Sequence, residues 1–202
     1  EGHITTNSEI HLSVDTELRK AICRNHSATH LLHESLRLLL GDHVSQRGSL
    51  NNNKRLRFDF SHSRPVTHEE ITVLESEVNY YIRQNSTVST RLMTPDQATS
   101  FGARALFGEK YGDEVRVVSM GARPNSEIGL NQDTFSMELC GGTHVRNTGD
   151  IGLFKIVSES ASAGGIRRIE ALTGSDAIKF VREQEAILLR ASSILKVGLN
   201  DF

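Results

Sequence analysis

Asn25-His26-Ser27-Ala28-Thr29-His30-Leu31-Leu32-His33 is the stretch from which the fold and the chemistry of this chain are read. On a helix, residues four apart lie about 40° apart around the axis and about 6 Å along it, so His26 and His30 face one way. Two imidazoles so placed can share a metal ion. Far down the chain, Cys140-Gly141-Gly142-Thr143-His144 supplies a second pair. Three histidines and one cysteine suit Zn²⁺, and the expectation is that folding brings the pairs together. Gly141 and Gly142 permit a sharp backbone path between Cys140 and His144. The same residues also fit a blander reading, in which the histidines are a surface pair and Cys140 is a small buried residue beside a turn. A zinc-protease helix is excluded, because it needs Glu directly after the first histidine as general base, and position 27 is Ser.

Working outward, residues 16–40 read as a helix with Ala28, Leu32, Leu36, Leu39 and Leu40 on its apolar face and Gly41 as its stop. His33 extends the histidine stripe as a supporting or surface residue. Residues 43–60 read as a β-hairpin around Asn51-Asn52-Asn53-Lys54, with Gln46 and Ser49 on its first arm. Leu56, Phe58 and Phe60 face one side, and Arg55, Arg57 and Asp59 the other. Residues 67–85 form a helix capped by Thr67; 87–93 form a strand, 94–96 open a short helix, and 114–120 form a strand. Residues 121–135 read as an inserted loop. Strands follow at 152–159 and 165–172, joined by the small residues 160–165. Arg167 and Arg168 beside that loop could approach a phosphate; a plain turn with solvated arginines fits equally. A long helix opens with Ser175 as N-cap and Ile178, Val181, Ile187, Leu188, Ala191, Ile194 and Leu195 at mixed 3–4 spacing. Before the first helix, Ile10, Leu12 and Val14 alternate as in a strand.

The chain has 202 residues and a net charge of −2, so no global positive field points to nucleic acid, although a local patch could. Two cysteines cannot build a disulfide framework, which fits a reducing compartment, and Cys23 reads as a packed thiol. No apolar run is long enough to span a bilayer. The start at Glu1 without Met reads as a piece cut from a longer protein.

Several of these strings together resemble one family. Residues 25–33, Ser45-Gln46-Arg47-Gly48-Ser49, 57–62, 105–111, Glu138-Leu139-Cys140-Gly141-Gly142-Thr143-His144 and 165–171 occur in the order found in the editing region of bacterial alanyl-tRNA synthetases. The related editing domain of threonyl-tRNA synthetases shares the two metal-type pairs. The resemblance implies an α+β fold, mostly antiparallel sheet packed around and beside helices. It implies three parts: a tail of a preceding β domain (1–15), a zinc-dependent aminoacyl-tRNA deacylase domain (16–174) and the start of a long C-terminal helix (175–202). It implies one zinc ion on His26, His30, Cys140 and His144. The editing pocket falls on Thr29, Gln46 and Ser49, with Cys140 on its edge. The implied activity is hydrolysis of the ester in Ser-tRNA(Ala) and Gly-tRNA(Ala). The parent enzyme joins alanine to tRNA(Ala) with ATP, in the cytoplasm; this piece, lacking the aminoacylation domain, is not expected to activate alanine. The implied partners are tRNA(Ala) and the remaining domains of the parent synthetase. Two alternatives share these residues: a freestanding deacylase, and a non-catalytic tRNA-binding module with structural zinc. The sequence departs from shorter family members at 122–135.

Overall fold

The computed structural model describes residues 3, 5–104, 112–123 and 134–199. Helix α1 (Thr16–Leu40) opens on Asp15, whose carboxylate accepts from the Glu17 and Leu18 amides, and ends at Gly41, whose φ of +118° few other residues adopt. Among the described residues, seven strands make two antiparallel sheets. The first, in order β1-β2-β7-β6, contains β1 (Gln46–Asn51), β2 (Leu56–Ser61), β6 (Phe154–Ala163) and β7 (Ile166–Thr173). The second, in order β3-β4-β5, contains β3 (Ser89–Met93), β4 (Val115–Ala122) and β5 (Thr134–Leu139). Helices α2 (His68–Arg83), α3 (Pro95–Ser100) and α4 (Gly174–Leu195) complete the elements used below. This is an α+β fold with its sheet divided in two.

Helix α1 touches β1, β2 and β7 of one sheet and β5 of the other. It therefore has more than one apolar face: residues 27–36 are buried without a break. Leu31, Leu32 and Leu36 pack with Leu56, Phe58, Phe60, Leu74 and Val78 in the main core. Full burial of each such side chain contributes about 1.5–3 kcal/mol. Most of the polar residues caught in this burial have partners, as buried polar groups need; Ser35 Oγ and His30 Nδ1 are the two atoms of the run without a hydrogen bond. Asn25 donates to Asn52 O in the hairpin turn and accepts from the Thr173 hydroxyl, which ties α1 to the end of β7. Glu34 receives Arg37, Arg104 and Arg123. A smaller core of Ala98, Val115, Val117, Met137 and Leu139 lies against the second sheet.

Several boundaries differ from the sequence reading. The Ile10–Val14 alternation makes no strand; Ile10, Leu12 and Val14 are exposed and pair with no strand among the described residues. The expected loop at 121–135 is shorter, because β4 runs on to Ala122 and pairs there with Thr134; residues 124–133, the rest of the expected insertion, lie outside the described residues, as do 105–111. Residues 160–163 are strand rather than flexible loop, and only Gly164 and Gly165 turn the hairpin. The N-cap of helix α4 lies two residues earlier than expected, at Thr173 rather than Ser175, and the Thr173 hydroxyl serves Asn25 instead of the helix. Most apolar positions of α4, among them Ile187, Leu188 and Ile194, remain exposed, while Ala177 is buried. Among the described residues, no helix is long and apolar enough to cross a membrane.

Candidate metal centre and adjoining cavity

The four metal-type side chains come together. His26 and His30 project from the buried middle of α1, while Cys140 follows the last residue of β5 and His144 closes the glycine loop. One ligand atom from each lies within 4.8 Å of all the others. Cys140 Sγ is 3.5 Å from His26 Nε2 and 3.4 Å from His144 Nε2. Tetrahedral zinc with bonds of about 2.3 Å to sulfur and about 2.05 Å to nitrogen requires an S···N edge of about 3.6 Å, so these contacts fit the ion. The outward nitrogens of His26 and His144 are tethered, and that of His30 faces a carboxylate without a hydrogen bond. His26 hydrogen-bonds the Thr143 backbone, His144 Nδ1 is 3.1 Å from Ser27 Oγ, and His30 Nδ1 is 3.4 Å from Glu138 Oε2. Tethers of this kind fix which ring nitrogen is free for a metal.

The loop owes its course to two contacts. Arg116 donates to Cys140 O at 2.8 Å and Gly142 O at 2.6 Å. Gly142 is needed for closeness rather than for a sharp turn: a Cβ there would lie 2.2 Å from His26 Cε1. Gly141 has open space around it. Cys23 is buried, Cys140 is half-buried, and neither is in a disulfide.

Electrostatics favour neutral imidazoles. Burial, then His30, push His26 down to about 4. Burial, then His30 and His26, push His144 down to about 2. His30 is also lowered by burial, against the pull of Glu138. All three rings thus offer lone pairs at neutral pH. Burial raises the Glu138 carboxyl, but His30, the His33 hydrogen bond and Arg104 outweigh it, and the net direction is down. A buried carboxylate therefore stands behind the cluster, 2.9 Å from His33 Nδ1. His33, expected as a supporting or surface residue, is buried and supports Glu138.

A cavity of about 220 Å³ opens beside the cluster, lined by His26, Thr29, His30, Gln46, Ser49, Asn51, Glu138, Leu139 and Cys140. Thr29, Gln46, Ser49 and Cys140, picked out in the sequence, therefore share one wall system. Ser49 and Asn51 oppose Phe58 and Leu56 in the β1–β2 ladder, and so share the core-facing side. A bulge between Gln46 and Gly48 shifts the register so that Gln46 opposes Phe60 and joins that side. Glu138 and Asn51 were not picked out from the sequence. The signal for Glu138 was strand alternation, which puts residues 136, 138 and 140 on one face; nothing local marked Asn51.

Arg167 and Arg168 do not line this cavity. Arg167 forks onto Glu159 with two contacts of 2.6 Å, and Arg168 onto Asp59 at 2.6 and 2.8 Å. Their charges are matched within the sheet. A larger hollow of about 670 Å³ between α2, β6 and α4 gathers Glu75, Asn79, Arg83, Phe154 and Lys155 but no metal-type group.

With this geometry in view, residues 115–170 match the family described as Threonyl and Alanyl tRNA synthetase second additional domain. The chain is 59% identical over 200 residues to the alanine–tRNA ligase of Paracoccus denitrificans, which covers 99% of this chain and 23% of that protein. It is 61% identical over 184 residues to the alanine–tRNA ligase of Jannaschia sp., covering 91% of this chain and 21% of that protein. For the alanine–tRNA ligase of Ruegeria pomeroyi the identity is 56% over 195 residues, with 96% and 22% covered. The chain thus spans about a fifth of the length of the curated relatives it matches.

Proposed function

From the premise that this chain belongs to the alanyl-tRNA synthetase family, we propose that it is the proofreading deacylase part, which hydrolyses the ester of Ser-tRNA(Ala) and Gly-tRNA(Ala). The reading is carried by one observation: a small cavity with hydroxyl and amide walls shares His26, His30 and Cys140 with a four-residue metal-type group. Residues 16–174 form the deacylase in this reading, and attachment of alanine with ATP belongs to the rest of the parent synthetase.

The physical need is clear. An alanine pocket discriminates weakly against a ligand that differs by one small group, by about 1–3 kcal/mol, and glycine enters it freely. A second, hydrolytic site removes the errors. To spare the correct product, that site recognises the seryl hydroxyl. Thr29, whose Oγ1 is buried at the cavity wall, makes that contact. Gln46, brought to the wall by the bulge, orients the ester or the attacking water. Water adds to the ester carbonyl, the ribose oxygen leaves with a proton, and the free amino acid departs. The substrate's neighbouring ribose hydroxyl assists that proton transfer. His26, His30, Cys140 and His144 would hold Zn²⁺, which when bound supplies fixed positive charge that positions the aminoacyl end.

The test is a deacylation assay of the zinc-loaded chain with Ser-, Gly- and Ala-tRNA(Ala). The seryl and glycyl esters should be hydrolysed well above the spontaneous rate and the alanyl ester spared. Thr29→Val should lower the seryl-to-alanyl ratio by about tenfold or more, since a lost hydrogen-bond partner is what such discrimination depends on. Failure of the folded, zinc-loaded chain to hydrolyse any of the three esters would overturn the proposal.

A further inference from the structure

Thr29 and Ser49 reach the cavity from different elements, and the Asn51 side chain stands between them. Thr29 Oγ1 lies 2.9 Å from Asn25 O and 2.8 Å from Asn51 Oδ1. The other end of the same amide, Nδ2, lies 3.2 Å from Ser49 Oγ. A hydroxyl owns one proton and two lone pairs, so Thr29 cannot donate fully to both oxygens. Asn25 O is a fixed acceptor, a helix carbonyl four residues back. An amide's oxygen and nitrogen occupy nearly the same volume. Turning the Asn51 amide half round places Nδ2 on Thr29 and Oδ1 on Ser49, and every group is then satisfied. Thr29 donates to Asn25 and accepts from Asn51, and Ser49 donates to Asn51. Each hydroxyl keeps a lone pair for the cavity, and neither keeps a proton for it.

We infer that Asn51 is a positioning residue that sets this polarity, holding Thr29 and Ser49 as acceptors only, so that the cavity selects an aminoacyl group bringing its own O–H donor. This rests on the deacylase reading and adds the source of its specificity. A seryl hydroxyl supplies the donor. An alanyl methyl leaves the buried Thr29 acceptor unpaired, the arrangement that costs most. A glycyl group leaves room for a water molecule to donate instead. Asn51 is held in place independently of any ligand, since its backbone pairs with Leu56 at the base of the hairpin.

The near-isosteric Asn51→Leu removes the clamp and keeps the shape. In that variant Ser49 is free to turn its proton into the cavity and Thr29 loses its fixed partner. The expected result is a fall of about tenfold or more in the seryl-to-alanyl ratio of kcat/KM. Zinc content should stay within about twofold, since Asn51 is outside the ligand set, and glycyl-ester hydrolysis should fall less than seryl-ester hydrolysis, since a water molecule can turn to serve either polarity. An unchanged ratio overturns the inference, and so does an equal loss on all three esters, which would mark Asn51 as a structural residue only. If the unaltered chain hydrolyses none of the esters, the deacylase reading fails and the inference is judged by binding. Amide-linked 3′-seryl and 3′-alanyl adenosine analogues are titrated against the unaltered chain and Asn51→Leu. A seryl preference that Asn51→Leu loses supports the clamp; no preference, or one that survives, overturns it.

Discussion

Cys140→Ala is expected to strip the chain of most of its zinc and to cut seryl-ester hydrolysis by about a hundredfold or more. The zinc-binding free energy of a four-ligand protein site is about 10–16 kcal/mol, so an even share for one ligand is about 3 kcal/mol, roughly a hundredfold in affinity. Cys140 is also the one thiol of the group and lies within 3.5 Å of two of the imidazoles. Its loss leaves three imidazoles, one buried and two half-buried, without the soft donor that favours zinc over harder ions. Cys140→Ser should recover little, because a hydroxyl oxygen is a poor replacement for a thiolate. Zinc per chain after gel filtration, together with the deacylation rate, checks both effects, and circular dichroism shows whether the chain remains folded. Full zinc content in Cys140→Ala would mean that the sulfur is not a ligand.

Gly142→Ala should do nearly as much damage from outside the ligand set. Its Cβ would sit 2.2 Å from His26 Cε1 and 2.7 Å from Nδ1. The ring cannot retreat easily, since it is tethered to the Thr143 backbone and faces Cys140. The loop cannot retreat without breaking the Arg116 contacts to Cys140 O and Gly142 O. Overpacking of this kind costs about 1–3 kcal/mol, and about 2–4 °C in Tm for each kcal/mol at this chain length. Displacing a ligand's support lowers metal affinity about 10- to 100-fold. Gly141→Ala is the control, with open space around the added methyl and no left-handed backbone; it should leave Tm and zinc affinity close to those of the unaltered chain. Equal effects at the two glycines would show that loop flexibility, rather than the fit against His26, is what matters.

The sequence was most informative where the signal was local. The alternation of Leu56, Phe58 and Phe60 located β2, all three side chains being fully buried. Thr67 with Glu70 formed the capping box that opens α2, and the spacing of His26 and His30 put two donors on one side of α1. It was least informative where a partner comes from far away. The Ile10–Val14 alternation looked like a strand, but a strand needs a neighbour to pair with. For Arg167 and Arg168 the sequence allowed a phosphate contact or a solvated turn equally, because the matching Glu159 and Asp59 are brought up only by the sheet register. Asn51 could not be distinguished from its neighbours in an Asn-rich turn, since its role depends on Thr29, 22 residues away on another element. Glu138 stood beside Cys140 in the sequence and still escaped notice, because its meaning lies in the two histidines it backs. The buried polar residues along α1 were hidden in the same way: an apolar stripe predicts one covered side, whereas contact with both sheets covers all sides of the helix's middle.

The chemistry proposed for this chain requires that His26, His30, Cys140 and His144 hold a single cation at the edge of the cavity. Zinc K-edge X-ray absorption on the stoichiometrically loaded chain tests it most directly. The expected result is a four-coordinate shell of one sulfur at about 2.3 Å and three nitrogens at about 2.0–2.1 Å. A shell without sulfur, or one made up mainly of oxygen at six-coordinate distances, would contradict it.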